Sequence, residues 1–520
     1  MRKPLRLIFR HAEGALDRVF GPQWNPLHQL GALGFFCYWI VAVSGIYVYL
    51  FFDTGVTEAY GSVEYMTHEQ WYLAGVMRSL HRYASDAMVL FMVLHVLREF
   101  ALDRYRGVRW FSWVTGWPAA VLLYICGITG YWLVWDKLAQ YVAITSTEWL
   151  DWLPIFGEPV ARNFLSPETL DDRFFTVLVF IHIAAPLILL LLLWLHLNRV
   201  SRPRSNPPRG LAVGTLAMFL ALSLVKPATS HAPADLAQVV GVLDLDWFYL
   251  GLYPLFGQWP GGVTWGGMAA LGVILAALPW LPPLRRSAAA RVDLDNCNGC
   301  RRCADDCPYA AITMRRRTDG KPFALEAAVN ADLCVSCGVC AGACPTATPF
   351  RRRSDLIPGI ELPDRTVAAL RDAVEDQARA PGGNDRLLVV GCEYGVDVTA
   401  LRDDRTGAVS LPCIGMLPPP FIDYVLSRGI ADGVVLTGCA EGACQHRVGV
   451  DWTRARVNRA RDPYLRRRVP RDRLLLVWAA PTQRAKLMRE IETFRAALPP
   501  SAAETPSAAP VLRSREPTHV

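Results

Sequence analysis

The chain has 520 residues, 52% of them hydrophobic and 19% charged, with a formal net charge of +7. A mean hydropathy of +0.21 is too apolar for a soluble enzyme, and this charge content is too high for a simple membrane channel, so two halves of different character are implied. Only 19 of the 54 Lys and Arg precede residue 285, and twelve of the 14 cysteines fall between Cys297 and Cys444 in short spacings, which excludes a secreted disulfide scaffold and favours metal.

A basic, amphipathic stretch, Met1 to Leu27, precedes the first apolar run, a pattern unlike a cleavable signal peptide. Apolar runs near 30–52, 75–99, 111–135, 174–198, 210–226 and 262–284 predict six helices able to cross a ~30 Å hydrocarbon layer. Lys and Arg number five in 1–27, four in 98–109 and four in 199–209, against none in 53–74, three in 137–173 and one in 226–261. The positive-inside rule then puts both termini in the cytoplasm, in the inner (cytoplasmic) membrane of a bacterium or archaeon. The outer segments 136–173 and 227–261 exceed what simple connections need, and such loops usually carry function.

His81 and His95 fall in the second predicted helix and His182 and His196 in the fourth, each pair 14 residues apart. Fourteen residues nearly close four turns, so each pair shares a face with its rings ~21 Å apart along the axis. Pairing His81 with His182 and His95 with His196 would stack two bis-histidine haem sites across the bilayer. Gly31 and Gly45, and Gly116 and Gly130, repeat the interval on the first and third helices, where a flat macrocycle needs close backbone approach. Arg78 and Arg98 stand three residues from His81 and His95, within reach of haem propionates. Buried polar histidines, helix-packing glycines and snorkelling arginines are the competing readings.

These motifs, Arg78-x-x-His81, His95-x-x-Arg98, the four glycines and the His182/His196 pair, resemble the cytochrome b of quinol-oxidising cytochrome bc complexes. The resemblance implies two noncovalent b haems, a quinone pocket near the outer haem, often another near the inner one, and a homodimer through this part. No Cys-x-x-Cys-His supports covalent haem. That family carries Pro-Glu-Trp-Tyr in its outer quinone site, and Asp246, Trp247, Phe248 and Tyr249 look like a variant, with Asp246 in place of Glu and Phe248 in place of Tyr. A carboxylate beside aromatic rings suits a quinone, which needs an apolar slot and proton exchange; an interfacial aromatic belt is the rival.

Beyond the helices come Cys297-x-x-Cys300-x-x-Cys303-x-x-x-Cys307-Pro308 and Cys334-x-x-Cys337-x-x-Cys340-x-x-x-Cys344-Pro345. They resemble a bacterial two-cluster ferredoxin, in which the fourth cysteine of each run crosses to the other cluster. The assignment is Cys297, Cys300, Cys303 and Cys344 to one [4Fe-4S], and Cys334, Cys337, Cys340 and Cys307 to the other. Residues 351–385 read as a charged connector. From Leu387, short apolar strands alternate with helices as in a small parallel α/β unit, and Cys392, Cys413, Cys439 and Cys444 fall after its first three strands, where such sheets bind ligands.

Val390-Gly391-Cys392, Cys413 and Thr437-Gly438-Cys439-Ala440-Glu441-Gly442-Ala443-Cys444 resemble the delta subunit of methyl-viologen-reducing hydrogenase. That resemblance implies a [2Fe-2S] cluster passing electrons between a hydrogenase or dehydrogenase and a flavoprotein. The arginine expected a few positions after Cys413 is absent, and a four-cysteine zinc site is the rival. His446 is an alternate ligand or, more simply, a surface residue, and Cys37 and Cys126 read as packing residues.

The expected fold is therefore a six-helix all-α haem-binding membrane bundle (1–284), a two-[4Fe-4S] ferredoxin domain (285–350), the connector (351–385), a delta-subunit-like parallel α/β domain (386–480), a terminal helix (481–497) and a disordered tail (498–520). No nucleotide motif occurs and no nucleic-acid partner is expected, so a two-electron substrate must be oxidised on a flavoprotein, heterodisulfide-reductase-like or hydrogenase-like partner. The expected function is a quinone oxidoreductase subunit. A non-catalytic anchor and relay, or a quinol-oxidising subunit feeding electrons inward, are the alternatives.

Overall fold

The basic N-terminal stretch folds as an amphipathic helix, α1 (Arg2–Phe20), in this computed structural model, which describes residues 2–155, 159, 165, 170–198, 205–281, 287–377 and 385–499. The chain divides into two compact units, Met1–Arg286 and Ser287–Val520.

In the first unit every predicted apolar run is helical: α2 (Leu30–Tyr49), then, after the short α3 (Glu58–His68), α4 (Val76–Ala101) and α5 (Trp110–Val134). After α6 (Lys137–Asp151) come α7 (Asp172–Asn198), α8 (Arg209–Val225), the six-residue α9 (Tyr253–Gln258) and α10 (Gly261–Ala277). Among the described residues, four helices are long and apolar enough to cross a membrane: α2, α5, α7 and Gly261–Trp280, which adds a short turn to α10. The other two runs differ for separate reasons. With 26 residues α4 is ~39 Å long, but Arg78, Arg82, Asp86, Arg98 and Glu99 make it too charged, whereas α8 has only 17 residues. A six-span bundle thus rests on α4 and α8 being carried by their neighbours.

Helix α2 packs along α4, and α5 along α7. Among the described residues, the long segments 136–173 and 227–261 carry folded parts. Asp136 follows Trp135, whose left-handed φ of 53° ends α5, and its carboxylate caps α6 by accepting from Ala139 N at 2.8 Å. The same carboxylate accepts from His231 N, and Gln140 and Asp235 bond reciprocally, so two sequence-distant loops are tied together.

The second unit opens with β1 (Arg291–Val292), α11 (Arg302–Asp306), the hairpin β2 (Ile312–Arg316) and β3 (Leu325–Val329), α12 (Val339–Ala343) and β4 (Ile360–Glu361). Strands β1 and β4 pair antiparallel, as do β2 and β3. The supposed connector is built into this fold: it supplies β4 and α13 (Val367–Gln377), and Ile360, Leu362, Val367, Leu370 and Val374 are buried in one core with Cys303 and Cys340. Its charged surface residues mask that apolar stripe. Residues 378–384 lie outside the described residues, as does nearly all of the expected tail, from 500 onward.

Then β5 (Leu387–Cys392), β6 (Thr406–Leu411), α14 (Pro420–Ser427), β7 (Gly433–Gly438), α15 (Gly449–Val457) and β8 (Leu474–Trp478) form a four-stranded parallel sheet of order β6-β5-β7-β8, with α16 (Arg484–Ala496) behind. Strand β5 is buried at every position, as in a sheet covered on both faces. The order reverses between β5 and β7, so the ligand crevice of such a sheet opens where Cys392 ends β5 and Cys439 follows β7.

Candidate redox centres

Each of the four helix histidines faces one of the four predicted glycines on the adjoining helix. A Cβ at Gly45 would lie 2.8 Å from His81 Cε1, at Gly130 3.0 Å from His182, at Gly31 3.4 Å from His95 and at Gly116 3.5 Å from His196. The rings of His81 and His182 stand 6.3 Å apart, centroid to centroid. Two metal–nitrogen bonds of ~2 Å plus the imidazole radii give about that separation, so one iron fits between them. His95 and His196 are likewise close enough to interact electrostatically.

The outward ring nitrogens of three of these histidines are already used. His81 Nδ1 donates to the Val41 carbonyl at 2.9 Å, leaving Nε2 as the lone-pair donor. Nδ1 of His182 lies 3.0 Å from Thr129 Oγ1, and Nδ1 of His196 3.2 Å from Thr115 Oγ1, while both hydroxyls donate back into α5 and so present lone pairs to the rings. A metal-binding imidazole needs such an anchor on its other nitrogen. Sequence reasoning missed these hydroxyls, yet Ser44-Gly45, Thr115-Gly116 and Thr129-Gly130 repeat the pattern, a hydroxyl before each of three cradle glycines.

The two arginines expected to pair haem propionates are engaged within the protein. Arg98, buried in α4, donates to Glu13 of α1 at 2.8 Å, and Arg78 donates to Thr67 and, at 2.8 Å, to Ser230.

In the second unit, the two cysteine runs adopt one backbone form. Both put a positive φ at their third and fifth positions, Gly299 (65°) and Arg301 (67°) in the first, Ser336 (55°) and Gly338 (75°) in the second. Each run spends glycine on a different one of the two, so the repeat is clearer in backbone than in sequence. Successive amides in such left-handed turns converge on an anion. Cys307, Cys334, Cys337 and Cys340 line one cavity, and Cys303 has Cys344, Cys300 and Cys297 close enough to interact electrostatically, so the fourth cysteine of each run sits with the other run's three. Backbone amides of Ala311 and Ala290 donate to the sulfurs of Cys307 and Cys334. Burial pushes the thiols of Cys303 and Cys337 up to about 12, so these groups become ligands only where bound iron replaces the proton.

The four later cysteines also converge. Cys392 and Cys439 sulfurs are 3.6 Å apart, and Cys444 lies within hydrogen-bonding reach of both Cys413 and Cys439. Gly449 leaves room for them, since a Cβ there would lie 2.2 Å from Cys413 Sγ. His446 is not the surface residue expected: it is buried, with Nδ1 3.1 Å from the Tyr309 hydroxyl and its ring against Tyr394, because the ferredoxin part covers it.

Residues 16–202 match the family cytochrome b/b6/petB. The first unit is cytochrome b-like. Residues 296–348 match the 4Fe-4S dicluster domain and residues 401–499 the delta subunit of methyl-viologen-reducing hydrogenase. A solved chain described as "Hyperthermophilic respiratory Complex III" is similar over 49% of this chain and 75% of its own, at 20% identity and a TM-score of 0.40. A cytochrome b-like region implies haem b and a dicluster domain implies iron–sulfur clusters, which makes this an electron-transfer membrane protein.

Within the cytochrome b-like unit, Asp246 accepts from the backbone amides of Tyr249 at 2.7 Å and Leu250 at 3.2 Å, capping the turn that follows. Its other oxygen meets Arg82 at 3.1 Å and the Tyr131 hydroxyl. Trp247 is exposed and Phe248 half-buried, while Tyr249 is buried against α5, donating to the Leu123 carbonyl at 2.9 Å where Gly127 makes room for its ring. Arg82 also pairs with Asp86 at 3.0 Å, four residues on. Sequence reasoning passed over Arg82 and Asp86, although ionisable residues inside an apolar run are themselves a signal.

Proposed function

We propose that this protein is a membrane-bound quinone oxidoreductase subunit that carries electrons between a cytoplasmic redox partner and the quinone pool. The observation behind it is that one chain brings together two helix-borne histidine pairs, two crossed sets of four ferredoxin cysteines and a fourfold cysteine group at a sheet's switch point. Two b haems, two [4Fe-4S] and one [2Fe-2S] would supply one-electron steps, and quinone the two-electron terminus.

The chain's own residues do the rest. His81 with His182, and His95 with His196, would hold the haems, with Val41, Thr129 and Thr115 fixing three of the rings. Asp246, with Trp247, Phe248 and Tyr249, forms the proposed outer quinone site. There Asp246 would exchange the proton, and Arg82 and Tyr131 hold its carboxylate in place. The delta-subunit-like domain supports a flavoprotein, heterodisulfide-reductase-like or hydrogenase-like partner. The positive-inside pattern supports iron–sulfur domains and both termini in the cytoplasm.

Purified chain should contain two b haems and about ten further irons in its three clusters, and should reduce a quinone analogue when a low-potential donor is supplied. Zinc in place of the third cluster, or a reduced spectrum without a b-type band, would refute the cofactor assignment. Loaded protein that cannot reduce the analogue would reduce the role to an anchor and relay.

A further inference from the structure

The ferredoxin and delta-subunit-like parts of the second unit meet around a buried charge. Arg456, on α15, is 1% exposed, and its guanidinium donates to Asp306, to the Gly415 carbonyl at 2.9 Å and, more weakly, to the Val339 carbonyl at 3.4 Å. Arg461 donates to the same Asp306 at 2.7 Å, so the junction of two arginines and one carboxylate keeps a net charge of +1. Each acceptor is within two residues of a proposed ligand: Asp306 precedes Cys307, Val339 precedes Cys340, and Gly415 is two residues after Cys413.

The backbones touch here as well. A Cβ at Gly342 would lie 2.0 Å from the Gly415 carbonyl oxygen, and one at Gly338 would lie 2.7 Å from Met416. Cys413 is close enough to Cys337 and to Arg456 for their charges to interact. Apolar side chains could join two domains without the desolvation cost of a guanidinium, so the charge calls for a reason beyond adhesion.

Resting on the cluster assignment above, we propose that Arg456 is a positioning residue between the [2Fe-2S] of Cys392, Cys413, Cys439 and Cys444 and the cubane of Cys307, Cys334, Cys337 and Cys340. These two centres exchange electrons directly, and the cubane of Cys297, Cys300, Cys303 and Cys344 stands beyond them. One electron leaves one centre and enters the other with no proton or bond exchanged. Whichever centre is reduced gains one negative charge, which the fixed positive charge favours at both.

The test is a redox titration of the full chain followed by electron paramagnetic resonance, with iron and sulfide analysis of every sample. Arg456→Met should keep its iron while the midpoints of the [2Fe-2S] and of one cubane fall, the other cubane staying at the wild-type value; Arg456→Lys should restore most of the shift. Asp306→Asn, which removes a negative charge, should move the same two midpoints upward and serves if Arg456→Met does not fold. In the wild type, reducing the affected cubane together with the [2Fe-2S], while the other cubane stays oxidised, should speed relaxation of the [2Fe-2S] signal. Equal shifts at all three centres, or none, would overturn the inference alone. A wild-type chain without a [2Fe-2S] signal would overturn the cluster assignment and this inference with it.

Discussion

At the scale of single residues, the membrane unit is built on contacts between glycine and histidine whose tightness is graded. Alanine at Gly45 would put a methyl 2.8 Å from His81, whereas at Gly116 the gap to His196 is 3.5 Å, ordinary contact. Gly45→Ala should therefore lose one haem while Gly116→Ala keeps both, as read by haem content and the reduced-minus-oxidised spectrum. Thr129→Val tests the anchors. Removing the oxygen that accepts from His182 Nδ1 makes that imidazole a poorer donor to ferric iron. One haem should then rise in midpoint potential and be held ~10–100-fold less tightly, measured by potentiometric titration and haem retention. Histidine spacing was plain in the sequence because a helix converts an interval of 14 into one face. The hydroxyls were not, because their role depends on which helix packs opposite.

At the scale of elements, α4 is where charge and haem ligands share one helix. Its C-terminal end is bound to α1 by the buried Arg98–Glu13 pair, both side chains under a tenth exposed. Glu13→Ala would leave the buried guanidinium to Glu99, at 3.6 Å, and breaking a buried pair costs up to ~3–5 kcal/mol. The haem-absorbance melting temperature in detergent should fall accordingly, more than for the exposed-face change Glu69→Ala. At the other end, Arg82 links α4 to the segment of Asp246. Asp246→Asn keeps an oxygen to cap the amides of Tyr249 and Leu250 while removing the titratable group, so haem spectra should persist and quinone turnover fall. Unchanged turnover would move the working site to the inner haem. The four parallel strands were legible because each is a short apolar run, and the two central ones, β5 and β7, are buried at every position. The strand and helix of 351–377 were not, because their apolar residues are diluted by surface charge and only the ferredoxin core gives them a place.

At the scale of the whole molecule, the proposed layout puts the iron–sulfur centres inside and the quinone pocket outside. An electron moving outward from a negative interior is favoured by up to ~2.3 kcal/mol per 100 mV for a full crossing. Sealed vesicles of known orientation, given a donor on the cytoplasmic side and a quinone analogue, should therefore turn over more slowly once an uncoupler collapses the potential. An unchanged rate, with electron transfer limiting, would place quinone reduction near His95 and His196.

Composition and spacing alone determined the division into an apolar and a basic half, the helix-borne histidine pairs, the duplicated ferredoxin runs and the four strands, because each is written in local periodicity or in intervals of a few residues. Tertiary structure alone decided which side chains meet across those elements: Thr129 with His182, Glu13 with Arg98, Asp246 with Arg82, and Arg456 with Asp306, 150 residues away. Such pairs join residues with no periodic relation, so only the packing of helices and domains, each burying its own apolar face, brings them into contact.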